Sequence, residues 1–193
     1  DELKYTTNKR RNFRINGSAY AQLDFGKIWQ PLDGLTYRIQ FGPELQYYRL
    51  GIAYAKESIN GKGNNVAQYN PYQNVAWVLD NLIYYNKTIA KDHHIGVTLL
   101  QSASKTHYES GFIKANVATS DELWYNTSSL ADPLSYSTGL TEDQLASYMI
   151  RGNYNYKDKY LATASIRWDG SSRLAEHHKW ASFPSFSLGW RID

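Results

Sequence analysis

From Leu145 to Asp193 the chain alternates at period two, with aromatics closing each alternating run. Successive side chains of an extended strand point to opposite faces. Tyr160, Ala162, Ala164, Ile166 and Trp168 therefore share one face, and Leu161, Thr163, Ser165 and Arg167 the other. Eight steps of ~3.4 Å span roughly 27 Å, or roughly 21 Å along a membrane normal at ~40° tilt. That approaches the ~25 Å apolar band of an outer-membrane barrel, which aromatic girdles flank at both interfaces. The run before it sets Tyr148, Ile150, Gly152, Tyr154 and Tyr156 against Met149, Arg151, Asn153 and Asn155. The last run sets Pro184, Phe186, Leu188, Trp190 and Ile192 against Ser185, Ser187, Gly189 and Arg191. Tyr148, Tyr154, Tyr156, Tyr160, Trp168, Phe186 and Trp190 are the candidate girdle. A soluble antiparallel sheet with one wet face also alternates, so pattern alone leaves both architectures open.

The earlier chain repeats the theme. Residues 1–12 are polar and read as the end of an exposed loop. Phe13, Ile15, Gly17, Ala19, Ala21, Leu23 and Phe25 then alternate with Arg14, Asn16, Ser18, Tyr20, Gln22 and Asp24. Pro31-Leu32-Asp33-Gly34 is a tight turn. A strand from Leu35 to about Ala55 follows, with a bulge or irregularity expected at Pro43, which has no N–H for the ladder. Residues 56–72 and 116–144 read as long loops, with a short helical turn at Asp143–Ser147 in the second. Residues 74–90 form a strand whose outer face is contested between Trp77, Leu79, Ile83, Tyr85 and Val78, Leu82, Tyr84. Ile95, Val97 and Leu99 begin another strand, which fades towards Lys114 or beyond. Short turns near 31–34, 90–93 and 157–159 alternate with long loops near 56–72, 116–144 and 170–182. Barrels with short periplasmic turns and long extracellular loops alternate in this way. About seven strands result, and an odd count predicts an arc of a larger barrel.

Composition narrows the alternatives. Mean hydropathy is -0.59, and no run of 18 apolar residues exists to make a spanning helix. Seventeen Tyr and 6 Trp suit sites with one apolar and one wet end. A net charge of +3, spread without a basic block, gives no sign of nucleic acid. The absence of cysteine removes disulfide frameworks, cysteine–zinc sites and thiol nucleophiles. By length the chain is one domain. Asp1-Glu2-Leu3-Lys4 is no signal peptide, so an internal piece of a longer protein is expected.

An ordered set of motifs sharpens this. Asn155-Tyr156-Lys157-Asp158-Lys159-Tyr160-Leu161 is followed by Thr163-Ala164-Ser165, Arg167 and Asp169-Gly170-Ser171-Ser172-Arg173. Phe183-Pro184-Ser185-Phe186-Ser187 and Gly189-Trp190-Arg191-Ile192 complete it. The set resembles the SusC/RagA-like TonB-dependent transporters. It departs from them at Leu174, where the family usually has Phe, and at Ala181, where Tyr or Gly is frequent. Asp80-Asn81-Leu82 with Tyr84-Asn86-Lys87-Thr88, then His93-His94, is similar more loosely. The resemblance implies an all-β fold: an antiparallel transmembrane segment of a 22-stranded barrel, residues 1–193 being part of that barrel domain. It implies active import of oligosaccharides or peptides across the outer membrane of a Gram-negative bacterium, the barrel being multi-pass. The implied partners are a SusD-like lipoprotein lid, the TonB complex acting through an internal plug, and outer-membrane lipid. The alternatives are a small outer-membrane porin or barrel enzyme, or a soluble β-rich binding domain.

No cofactor, metal or catalytic residue is expected. His93-His94 and His177-His178 are adjacent pairs whose members point apart on a strand, which disfavours chelation. Ser171 and Ser172 lack a G-x-S-x-G elbow and a placed His/Asp partner. Gly61-Lys62-Gly63-Asn64-Asn65 lacks the strand–helix setting of a phosphate cradle and reads as a flexible loop. The face opposite the apolar one offers Arg14, Gln22, Asp24, Arg38, Gln40, Arg151, Asn153, Asn155, Arg167 and Arg191 as lumen-facing candidates. Trp124 and Tyr125, in the longest loop, are candidates for stacking on a sugar ring or capping a peptide.

Overall fold

The computed structural model describes residues 2–117, 130–175 and 178–192. These form an all-β antiparallel sheet of eight strands. The strands are β1 (Thr6–Asn16), β2 (Ala19–Asp24), β3 (Leu35–Tyr54), β4 (Val66–Ile89), β5 (His93–Val117), β6 (Leu130–Tyr156), β7 (Tyr160–Ser171) and β8 (Trp180–Trp190). Their order is β1-β3-β4-β5-β6-β7-β8, with β2 also paired to β3. Because β1 and β2 take successive stretches of β3, eight strands fill seven places. Among the described residues the only helical pieces are 3-10 turns at Glu2–Tyr5, Phe25–Lys27 and Gln30–Leu32.

Burial is almost absent. Among the described residues the buried apolar side chains are Val66, Ala67 and Ala115. Among the described residues no second layer of helices or strands is present for the sheet to bury its apolar face against.

Several boundaries differ from those expected of the sequence, for one physical reason: pairing with a neighbouring strand overrides local composition. Residues 6–12 are strand rather than loop, because Thr6–Asn12 pair residue for residue with Tyr54–Tyr48 of β3. Residues 66–72 belong to β4, which confines the connection to 55–65. Residues 130–144 belong to β6 despite Asp132-Pro133 and Ser137-Thr138-Gly139, and Asp143–Ser147 is strand, not a helical turn. Pro43 carries no bulge. Asn16↔Glu44 and Ala19↔Phe41 keep one register across it, and the irregularity is the break between β1 and β2 opposite. Gly17 still donates to the Pro43 carbonyl at 3.1 Å, while Pro43 has no N–H to return. The connection expected as a tight turn at 31–34 runs from Phe25 to Gly34 through two 3-10 turns, so short and long connections do not alternate cleanly at that end.

The chain divides into two compact units. One comprises Asp1–Asn16, Glu44–Ala76 and Thr106–Glu142. There Tyr48 and Tyr72 stack with centroids 4.6 Å apart, and Tyr108 lies 5.5 Å from Tyr72. Gln46 Nε2 donates to Asn12 Oδ1 and to Tyr72 Oη, at 3.0 and 3.2 Å. Connection 55–65 is hydrogen-bonded rather than slack: Ser58, 3% exposed, accepts from the Gly61 N–H at its Oγ at 2.8 Å. His107 sits between two carboxylates, Nδ1 2.7 Å from Glu142 and Nε2 2.9 Å from Glu109. Hydrogen bonds to Glu109 and then Glu142 hold its pKa above the ordinary histidine value.

The other unit comprises Gly17–Pro43, Trp77–Lys105 and Asp143–Asp193. Its two tight hairpins turn through consecutive left-handed residues, Ala90 and Lys91 between β4 and β5, and Lys157 and Asp158 between β6 and β7. Primed hairpin turns need this backbone to match the strand twist. At Gly34, φ is +90° and a Cβ would lie 2.0 Å from the Asn86 carbonyl oxygen. Gly34 must also accept from the Asn86 N–H at 2.9 Å, so β4 cannot retreat.

Gly34→Ala is expected to cost about 3 kcal/mol, combining left-handed strain with the clash. Gly63→Ala, at φ +85° with open space around it, is expected to cost only about 1 kcal/mol. Denaturant unfolding of the two variants checks the difference, and equal costs would remove the steric argument. The His107 contribution carries a sign. A raised folded-state pKa stabilises fully below the unfolded value of 6.5 and is lost as pH rises through the folded value. The stability advantage of the native protein over His107→Gln should therefore shrink as pH is raised from 6.5, and an advantage that grows would contradict the pairing.

Candidate functional site: two faces of one sheet

The strand registers sort side chains onto two surfaces. Across β6, β7 and β8, directly opposed residues share a face. One face carries Tyr148–Trp168–Ser182, Ile150–Ile166–Pro184, Gly152–Ala164–Phe186, Tyr154–Ala162–Leu188 and Tyr156–Tyr160–Trp190. The other carries Met149–Arg167–Phe183, Arg151–Ser165–Ser185 and Asn153–Thr163–Ser187. Between β2 and β3 the split is as sharp. Ala19, Ala21 and Leu23 oppose Phe41, Ile39 and Tyr37, while Tyr20, Gln22 and Asp24 oppose Gln40, Arg38 and Thr36.

Side-chain contacts join these ends into one surface. Tyr37 Oη donates to Asn81 Oδ1 at 2.6 Å, and Asn81 Nδ2 donates to Gln101 Oε1 at 2.6 Å. Asn81 therefore brings Trp77, Leu79, Ile83 and Tyr85 to the face of Tyr37, while Val78 meets Gly42 on the other. Gln101 brings Ile95, Val97 and Leu99 to the same face. The His93 ring then lies 4.8 Å from Tyr156 and 6.0 Å from Tyr154. All seven girdle candidates thus share a face with the apolar residues of β2 through β5. Two of its side chains, Phe186 and Leu188, are 68% and 74% exposed. Cross-strand hydrogen bonds engage the Asn81 amide oxygen and nitrogen and the Gln101 side-chain oxygen that lie within it.

The opposite face is polar and internally paired. Arg14 meets Glu44 at 2.9 Å, Thr163 Oγ1 donates to Asn153 Oδ1 at 3.0 Å, and Arg167 meets Asp169 at 2.7 Å and Ser147 Oγ at 3.2 Å. Ser102 Oγ donates to Asp80 Oδ1 at 2.5 Å. The Arg38 guanidinium lies 3.9 Å over the Tyr20 ring beside Gln40, its Nε buried without a hydrogen-bond partner. Asp24 accepts from the Gly26 N–H at 3.2 Å and so caps a 3-10 turn. Arg151 lies opposite Ser165. Arg191 follows the last residue of β8 and extends the ladder, its N–H donating to the Lys159 carbonyl at 2.8 Å. Trp124, Tyr125 and His177 lie outside the described residues.

The Asp169–Arg173 motif is a strand-end lock. Gly170 carries no side chain because the Trp180 ring lies where one would be, within 2.8 Å of a Cβ. The same ring stacks on Tyr148 at 5.8 Å. The Ser172 N–H donates to the Gln144 carbonyl, and the Gln144 N–H to Ser172 Oγ, both at 2.9 Å. Arg173 grips both carboxylate oxygens of Asp143 through Nε and Nη2, a bidentate pair that raises the arginine pKa. This connection is thereby tied back onto β6. The histidine pair at 93–94 does other work: His94 bonds Thr88 at 2.9 Å and His93 bonds Tyr154 Oη at 2.7 Å. Among the described residues no group of three His, Asp or Glu side chains is arranged to hold a metal ion.

No family model matches the chain. One TonB-dependent receptor of Formosa agariphila is 32% identical over 164 residues, covering 83% of this chain and 16% of the relative. A second from that organism is 30% identical over 194 residues, covering 100% of this chain and 18% of the relative. The TonB-dependent receptor SusC of Bacteroides thetaiotaomicron is 48% identical over 52 residues, 27% of this chain and 5% of SusC. The chain thus spans less than a fifth of the curated relatives it matches. In fold it superposes on the RagAB peptide transporter with a TM-score of 0.83 at 18% identity, covering 95% of this chain and 20% of that one. The shared sheet, the ordered motifs around Asp169–Arg173 and these relatives lead to one assignment: the chain is a segment of a SusC-like TonB-dependent transporter.

Proposed function

We propose that residues 1–193 are part of one barrel domain of an outer-membrane importer, multi-pass and 22-stranded, that carries oligosaccharides or peptides. The observation that supports this most is the continuous apolar face with no layer to cover it. Lipid is the medium that stabilises such a face without a second sheet, each large apolar side chain contributing about 1.5–3 kcal/mol on transfer from water. The aromatics at the two ends of that face suit the membrane interfaces.

The polar face then lines the lumen. There Arg14, Asp24, Arg38, Gln40, Arg151, Asn153, Arg167 and Arg191 meet one another, cargo or an internal plug, and the buried, unpartnered Arg38 Nε suits a partner from outside this segment. Strands β4, β5 and β6 run to 24, 25 and 27 residues, whereas a membrane crossing needs only about 9–11. Their excess suits walls that rise above the bilayer and hold a SusD-like lipoprotein lid over the cargo. TonB supplies energy through the plug, and no catalytic chemistry is needed.

A small closed barrel is disfavoured because β1 and β8 are the two ends of the strand order among the described residues. A soluble binding domain is disfavoured by the size of the exposed apolar face.

Peptide mapping of outer membranes should place these residues inside a polypeptide several times longer, with a surface lipoprotein co-purifying. A free-standing product of this length in the soluble fraction would overturn the proposal. Neighbouring positions test the faces. Ala164→Arg should destabilise the inserted barrel by ~2–4 kcal/mol, whereas Ser165→Arg, on the lumen side, should cost ~1 kcal/mol or less. Equal costs would remove the assignment of faces.

A further inference from the structure

One rung past Tyr148–Trp168–Ser182, on the side away from the tight hairpins, the registers oppose Ala146, Gly170 and Trp180. The step is roughly 7 Å. On the barrel reading the tight hairpins mark the periplasmic end, so this rung lies just outside the aromatic girdle, at the depth of the outer-leaflet headgroups. A recess of about 390 Å³ opens here. Ala103, Ala146 and Gly170 leave it hollow, and Trp77 of β4 and Trp180 of β8 line it from the strands on either side. The Trp180 ring is held over Gly170 and against Tyr148, so it borders the recess without filling it.

The remaining lining is polar. The Lys179 carbonyl accepts from the Ser171 N–H at 3.0 Å, which fixes that backbone beside the recess. Ser172 Oγ accepts from the Gln144 N–H at 2.9 Å and keeps its own hydrogen to donate. Lys105 also lines the recess but already has a partner within the chain. The Lys179 ammonium makes no hydrogen bond or ion pair among the described residues, and no described carboxylate lines the recess. The acids nearest in sequence, Glu142 and Asp143, are engaged by His107 and Arg173.

A hollow in an apolar wall forfeits the contacts its lining would otherwise make. Hydrocarbon alone would fill this one but leave Lys179 and Ser172 unused. A free phosphate would use those two and leave the tryptophans bare. A phosphate borne on acyl chains meets both demands, because an ammonium binds phosphate as a point charge and the chains continue down the apolar face. We propose that this recess seats the phosphorylated head of an acylated lipid of the outer leaflet. Lys179 and Ser172 take the phosphate, and Trp77 and Trp180 pack against the apolar body. This inference rests on the membrane-barrel reading above, since it requires the apolar face to meet lipid.

The test uses the full-length transporter, delipidated in mild detergent and followed by native mass spectrometry and thermal midpoint. Three probes are added: monophosphoryl lipid A, the same lipid with its phosphate removed, and inorganic phosphate. Monophosphoryl lipid A should be retained and raise the midpoint, the dephosphorylated lipid should bind about tenfold more weakly, and inorganic phosphate should do neither. Lys179→Gln should weaken only the phosphorylated lipid, again about tenfold, and Lys179→Arg should restore it. Ala146→Phe, which fills the hollow, should weaken both lipids. Equal binding of the two lipids, equal stabilisation by inorganic phosphate, undiminished binding by Lys179→Gln, or no binding by the native protein would each overturn the assignment. So would a lipid-free midpoint of Lys179→Gln below that of the native protein, which would make the lysine structural. Failure of the barrel reading shows differently, as a protein that stays monodisperse without detergent.

Discussion

A single sheet must place its apolar face against something, and among the described residues nothing supplies it. The registers across β6, β7 and β8 align the apolar sides of the three strands rung by rung, from Tyr148–Trp168 to Tyr156–Tyr160–Trp190. A slip of one residue in any strand would turn its whole apolar set to the other side. Turn geometry, glycine placement and strand-end motifs can all be understood as guarding that alignment. Gly34 lets the backbone of β4 approach, the left-handed residues at 90–91 and 157–158 close hairpins without a slip, and Arg173–Asp143 ties the β7–β8 connection back to β6.

The polar groups within the apolar face follow from the same constraint. A lone amide facing hydrocarbon would cost several kcal/mol. Asn81 avoids that cost by bonding across three strands, accepting from Tyr37 Oη and donating to Gln101 Oε1, both at 2.6 Å. On the other face the bonding is denser and charged, with Arg14–Glu44 and Arg167–Asp169. The two surfaces therefore differ in chemistry although every strand contributes to both.

Much of this was legible in the chain because period-two alternation reports directly on faces. The residues around Tyr160–Trp168, Phe13–Asn16 and Ala19–Asp24 could be sorted by parity alone, whereas Phe25, expected to continue the last of these runs, opens a 3-10 turn; the Asp169-Gly170-Ser171-Ser172-Arg173 motif marked the strand end. The strand lengths were not legible. Residues 6–12 and 130–144 are polar and rich in turn formers, and only the pairing of Thr6–Asn12 with β3 and the extension of β5 to Val117 make strands of them. The face of 74–90 was ambiguous because Leu82 and Tyr84 compete with Ile83 and Tyr85; the Tyr37–Asn81–Gln101 chain settles it, and no single strand contains that information. Trp180 over Gly170 is a long-range contact that composition cannot announce.

The central claim is that even-numbered residues of β7 face lipid and odd-numbered ones face the lumen. Nitroxide labels placed one at a time at residues 162–166 of the full-length protein in bilayers test it most directly. Collision rates with dissolved oxygen should peak at 162, 164 and 166, and those with a water-soluble nickel complex at 163 and 165. A flat profile, or the opposite phase, would contradict the account.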